Sequence, residues 1–196
     1  MTIDLVVSLY KENTEWVRNL RDDCKLVIYN KGDGPLRRLP NVGREAHTYL
    51  HHMARNYGHF KDWNFFTQGD PLAHCPNFVA IVNTWTDSFR KAALIAHPSH
   101  QFFVNQPVRY IETGATGDDA SNDVRGLWRE LFTNEPPEDI LFAPASIFVI
   151  SDERLMCRSL PFYQKALELS HTRPRGPWEF ERLWAYLWRV KDKPRL

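Results

Sequence analysis

The chain has 196 residues, 43% hydrophobic, 25% charged and 13% aromatic, enough for one domain with a sizeable core. Its net charge of +1 excludes a strong long-range pull towards nucleic acid or an anionic membrane surface. Three cysteines, at 24, 75 and 157, have neither zinc spacing nor the even number of a disulfide framework, so a reduced compartment is expected.

Ile3 to Leu9 is apolar and β-branched and reads as a buried first strand. Thr14 is placed to cap a helix over 14–20, where Trp16, Val17 and Leu20 recur at helical spacing. A second strand over 25–29 ends at Asn30-Lys31-Gly32-Asp33-Gly34-Pro35, a strong loop signal. Asn41 and Gly43 precede Arg44, Glu45 and the periodic run Ala46, Tyr49, Leu50, Met53, which predicts a helix over 44–57. Its opening offers backbone N–H groups and a fixed cation, a combination that suits an anion. The aromatic run 63–67 reads as a third strand, ending in the turn Gln68-Gly69-Asp70-Pro71. Strands and helices alternate with short links, the pattern of a mostly parallel, doubly wound α/β sheet flanked by helices. In such sheets ligands lie outside the carboxyl ends of the strands, so Ser8, Tyr10, Asn30 and Lys31 are expected to line one cleft.

The middle is less regular. A helix is predicted over 77–93, an aromatic loop over 97–109 and a flexible acidic loop over 113–123, with a short helix over 126–132. A late strand over 146–150 is followed by Ser151 as N-cap of a helix over 152–156. Helices over 162–170 and 179–190 close the chain, the last with Phe180, Leu183, Trp184, Leu187 and Trp188 inward. There is no internal repeat. No basic stretch precedes a long apolar run at the start, and no apolar run reaches the length of a bilayer span. The expectation is a cytoplasmic protein, or a catalytic piece of a larger multidomain one.

Several segments taken together carry a resemblance: LVVSLYKENTEWV (5–17), VIYNKG (27–32), LPNVGREAHTYLHHM (39–53), FFTQGDPLAH (65–74), IFVISDERL (147–155), PFYQKALEL (161–169) and FERLWAYLW (180–188). In this order they resemble an uncharacterised, glycosyltransferase-like family, widespread in fungi and also found in bacteria and large DNA viruses. NVGREAHTYLHH and FERLW are its most specific stretches. The wider architecture is similar to that of nucleotide-sugar glycosyltransferases with a GT-A fold. The resemblance implies a single domain that moves a sugar from a nucleotide-sugar donor to a glycan or other hydroxyl acceptor. In such enzymes the first two strands bind the nucleotide, and an Asp-x-Asp signature holds Mn²⁺ or Mg²⁺ on the diphosphate. Here the corresponding turn is Gln68-Gly69-Asp70, with an amide in place of the first acid.

On that footing Asp70 is the candidate metal ligand, with His74 as a second that suits Mn²⁺ better than Mg²⁺. Arg44 or Lys31 is suited to meet the diphosphate charge, and Gln68 to bond a sugar hydroxyl or a metal-bound water. A general base is sought among Asp152, Glu153, Glu179 and Glu181, with Glu181 first because it lies in FERLW. Each has a plainer reading: Asp70 as a turn former, Arg44 and Glu45 as a first-turn ion pair, Glu181 as a partner of Arg182. His47 and His51 share a helix face at metal-ligand spacing, but core or surface histidines are the expected answer. Two other classes stay open: a non-catalytic carbohydrate- or nucleotide-binding module, and a metal-dependent hydrolase built on Asp70, His74 and the acids Asp118, Asp119 and Asp123.

Overall fold

The computed structural model describes residues 1–35, 37–86, 109–112, 122–142 and 144–188, with the backbone alone at 109–112. Strand β1 (Ile3–Leu9) is central and lies parallel to both β2 (Cys24–Asn30) and β3 (Trp63–Gln68). Strand β6 (Phe148–Ser151) adds antiparallel to β3, giving the order β2-β1-β3-β6. A separate antiparallel pair joins β4 (Arg109–Glu112) to β5 (Asp139–Phe142). Thus three of the four main strands are parallel, as expected of a doubly wound pattern, and β6 runs the other way.

A strand covered on both faces need not alternate. Residues 3–8 of β1 are all buried, and its side chains divide between two cores. Ile3, Leu5 and Val7 face Trp16, Phe65, Phe78 and Trp85. Val6 faces the other core, with Tyr49, Phe66, Phe148 and Trp184. The link from β1 to β2, a 3-10 turn over Glu15–Asn19, packs Trp16 into the first core. The link from β2 to β3, helix α1 (Arg44–Arg55), packs into the second. The two links therefore cover opposite faces, and the second carries the chain from β2 past β1 to its other side, which makes the gap between β1 and β3 the topological switch point. Ser8 and Gln68 are register partners at its carboxyl end.

The remaining α-helices among the described residues are α2 (Phe78–Thr84), α3 (Val124–Leu131), α4 (Asp152–Leu155), α5 (Leu160–Thr172) and α6 (Gly176–Leu187). Several predicted bounds move for local reasons. The 14–20 segment forms a 3-10 turn in which Thr14 makes no cap bond. Helix α2 stops at Thr84 because Trp85 turns extended, with ψ 118°, and buries its ring in the core. The rest of the helix predicted over 77–93 lies outside the described residues, as do most of the 97–109 loop and of the 113–123 loop. Helix α5 starts at Leu160, where Ser159 Oγ accepts from the Phe162 amide at 3.4 Å. Helix α6 starts three residues earlier than predicted, with Pro177 in its first turn, where a missing N–H costs nothing. Ser151 caps α4 as expected.

Candidate functional site

The site begins where the chain enters α1. Gly43 has φ 62° and Arg44 φ 46°, two successive left-handed residues. Glycine fits there because a Cβ at position 43 would meet His47 Cβ at 2.7 Å and Ser170 O at 2.8 Å. Lys31, at the end of β2, fixes this entry: its Nζ donates to the Val42 carbonyl at 2.5 Å and to the Arg44 carbonyl. Lys31 is 7% exposed, and burial draws its pKa down to about 8 against the pull of Glu45. Ser8, at the end of β1, shares a hydrogen bond of 2.8 Å with Thr48 of α1. The strand ends and the helix start are thus fastened to each other by side chains.

Two cavities open above these strand ends. The first, about 320 Å³, is lined by Ser8, Tyr10, Glu12, Lys31, Asn41, Arg44, Glu45 and Gln68. The second, about 270 Å³, is lined by Arg44, Glu45, Gln68, His74, Pro144, Ala145, Pro177, Trp178 and Glu181. Arg44, Glu45 and Gln68 line both, so these are two lobes of one cleft at the β1/β3 switch point. Arg44 is 60% exposed, 3.6 Å from Glu45, and its guanidinium lies 5.2 Å from the Trp178 ring centre. Tyr10 is 44% exposed, and Glu12 folds its turn by accepting from the Tyr10 and Lys11 amides at 2.7 and 3.0 Å.

The far wall is also strained. Ala145 has φ 75° and Ser146 φ 51°, in the loop before β6. Glu181 Oε1 accepts from the Ala145 amide at 2.6 Å, and Trp184 Nε1 donates to Ser146 Oγ at 3.1 Å. The FERLW segment therefore holds this loop in a conformation that side chains other than glycine rarely adopt. Burial raises the Glu181 pKa, its bond to Ala145 opposes, and the Glu45 charge raises it further. Burial likewise raises Glu45, against Arg44 and Lys31.

The cleft gathers Ser8, Tyr10, Lys31, Arg44, Gln68, His74 and Glu181 among the sequence candidates. Five others lie elsewhere. Asn30 is buried beneath the loop, its Oδ1 accepting from the Gly32 amide at 2.7 Å; it shapes the turn and does not line the cleft. Glu179 is 2% exposed, with Oε2 on Arg173 Nε at 2.6 Å and Oε1 on the Asp123 amide at 2.8 Å. That buried ion pair takes it out of the set of candidate bases. Asp152 leaves by direction: β6 is antiparallel to β3, and Ser151 pairs with Trp63 at the amino end of β3. Asp152 and Glu153 follow there, at the edge of the sheet opposite the cleft. Asp70 lines neither lobe; its Oδ1 accepts from the Leu72 amide at 3.1 Å, so it forms the turn.

The placement of Asp70 bears on the expected ion. His74 reaches the second lobe and Asp70 does not, and among the described residues no three His, Cys, Asp or Glu side chains gather to hold a metal. For charge on a ligand, the cleft itself offers Arg44 in both lobes and Lys31 in the first. Asp123, the described acid of the hydrolase set's loop, caps α3 and pairs with Arg173 at 3.2 Å. Asp118 and Asp119 lie outside the described residues.

His47 and His51 stack at 6.2 Å, with His171 edge-on to His47 at 5.3 Å. His47 is buried and its pKa is drawn to about 3 by burial, Lys31 and the two neighbouring rings. His47 is a core histidine, His51 is half-buried and His171 is exposed. Sequence reasoning left Glu12, Asn41, Glu45 and Trp178 out of the site. Glu45 carried a signal, since it follows Arg44 in the helix opening already read as an anion site. Trp178 carried none, because its place depends on where α6 docks.

No helix among the described residues is long and apolar enough to cross a membrane. No curated protein and no solved structure matches this chain. Residues 5–86, which carry β1, β2, α1, β3 and α2 and every residue of the first lobe, match a family described as a protein of unknown function, DUF3431.

Proposed function

We propose that this chain is a single GT-A-like glycosyltransferase domain that moves a sugar from a nucleotide-sugar donor to a hydroxyl acceptor. The observation that carries the reading is the two-lobed cleft at the β1/β3 switch point, joined at Arg44, Glu45 and Gln68. A reaction between two bound molecules needs two adjoining compartments and a cation where they meet. The first lobe has the parts for a nucleoside diphosphate: an exposed Tyr10 ring for stacking, and Lys31 and Arg44 for negative charge. Gln68 stands at the junction, where its amide can bond a sugar hydroxyl.

A second reading, a binding module without turnover, is favoured by Gln68 where the family pattern has an acid and by the engagement of Asp70 in its own turn. Calorimetry with UDP- and GDP-hexoses, with and without Mn²⁺, followed by a transfer assay, separates the two. Binding with transfer supports the enzyme, and binding without transfer or hydrolysis supports the module. Absence of binding by every nucleotide sugar overturns both.

A further inference from the structure

The second lobe holds two carboxylates that enter it from different helices. Glu45 comes from the first turn of α1 and Glu181 from the middle of α6, and each side chain is 17% exposed. Their nearest cations are distant for ion pairs, Arg44 at 3.6 Å and Arg182 at 3.8 Å. Tyr49, fully buried in the core and outside the lobe's lining, feels both charges, and its hydroxyl makes no hydrogen bond. The walls opposite are apolar: Pro144, Ala145, Pro177 and the Trp178 ring.

We propose that Glu45 and Glu181 act as one carboxyl pair that holds a neutral, hydroxyl-bearing acceptor in the second lobe, Glu45 taking the proton of the attacking hydroxyl. The two carboxylates outnumber the one Arg44 guanidinium that also lines the lobe, so they disfavour an anionic ligand while accepting hydrogen bonds from hydroxyls, and an apolar wall suits the ring face of a sugar. The lobe is near the lower end of the roughly 300–1,000 Å³ typical of ligand pockets, which suits one ring rather than an oligomer. Glu45 is the proton acceptor because it lines both lobes and so stands where donor and acceptor meet. Glu181 commits one oxygen to the Ala145 amide and is a positioning residue: it fixes the strained loop that walls the lobe. The pair supports this role electrostatically, since burial raises both carboxyls and the Glu45 charge raises Glu181 further.

The transfer step rests on the transferase reading; the binding of the acceptor does not. In it, the acceptor O–H proton passes to the Glu45 carboxylate and the acceptor oxygen bonds the anomeric carbon. The bond from that carbon to the diphosphate oxygen breaks, with its electron pair leaving on the nucleoside diphosphate, and the proton then goes to water. A single displacement of this kind inverts the anomeric configuration.

The test uses the full chain and simple probes: methyl glucoside, methyl galactoside and methyl mannoside, with methyl glucuronide as the anionic counterpart. Binding is read by tryptophan fluorescence and by the carboxyl ¹³C signals of glutamate across pH, and UDP-hexose binding and turnover are measured separately. At least one neutral glycoside should bind and move the Glu45 signal, with the glucuronide about tenfold weaker or worse. Glu45→Gln should weaken the glycoside roughly tenfold, the loss of one charge-assisted hydrogen bond. Glu45→Gln should also lower the pH at which Glu181 titrates, a change that a purely structural Glu181 out of reach of Glu45 would not show. Equal binding of the glucuronide, no binding of any neutral glycoside, or unchanged binding in Glu45→Gln overturns the proposal. Donor turnover without a response of Glu45 to glycosides sinks the pair and leaves the transferase. Glycoside binding with no donor binding does the reverse.

Discussion

Helix α1, which carries Arg44 and Glu45, rests on two buried histidines whose protonation should loosen it. His52 is 2% exposed; its Nδ1 lies 3.2 Å from the Tyr29 hydroxyl and its Nε2 makes no hydrogen bond. Burial, with Arg37, Lys25 and His51 nearby, draws its pKa from 6.5 to about 3. A lowered folded-state pKa means that the unfolded chain binds the proton first. The stabilisation is therefore complete above 6.5 and is lost as pH falls towards 3. The slope is about 1.4 kcal/mol per pH unit for one group, so lowering pH from 7 to 5 removes about 2 kcal/mol through His52. His47, also at about 3, adds a similar loss. Glu45, Glu181 and Asp4 have raised pKa values, and their contribution has the opposite sign, being lost as pH rises. Comparison with His52→Gln cancels them. Denaturant unfolding of both proteins at pH 7 and pH 5 should show the wild type losing about 2 kcal/mol more than the variant, roughly 4–8 °C in Tm for a chain of this size. Equal losses in the two proteins would refute the reasoning, and with it the burial of an uncharged His52 under α1.

Glu179→Gln should destabilise by about 1–3 kcal/mol, because Arg173 loses its most buried carboxylate partner while keeping Asp123 and Glu130; thermal melting reads it, and a variant as stable as wild type would contradict the placement. Asp152→Ala should leave every ligand response unchanged in calorimetry, since Asp152 lies at the other edge of the sheet. Asp70→Ala should cost about 1 kcal/mol through its lost turn bond, with no change in the Mn²⁺ dependence of donor binding; a lost Mn²⁺ response would return Asp70 to the metal. Lys31→Ala should weaken donor binding and lower Tm together, because the same ammonium secures the Val42 and Arg44 carbonyls.

The strands and α1 were legible because their signals are local. Continuous apolar runs mark β1 and β3, and period-3.6 spacing marks α1, and the structure puts elements there within a residue or two. The anion-suited opening at Arg44 was legible for the same reason. Direction was not: nothing in Phe148–Ser151 states that it runs against β3, and that one reversal carries Asp152 away from the cleft. The role of Glu179 depended on a partner six residues away, Arg173, and on the docking of Asp123 from another helix. Asp70 shows the limit of motif reasoning, since the residue type that binds a metal is also the type that closes a turn. The far lobe, built by Ala145, Pro177, Trp178 and Glu181, required knowledge of how α6 packs against the loop before β6.

The most direct test of the nucleotide-sugar cleft is calorimetric titration of UDP- and GDP-hexoses into the wild type and Arg44→Gln. The cleft described here predicts that at least one donor binds the wild type and that Arg44→Gln binds it about tenfold or more weakly at unchanged Tm, from loss of the charged contact at the junction of the lobes. Failure of every donor to bind the wild type, or equal affinity in the two proteins, would contradict it.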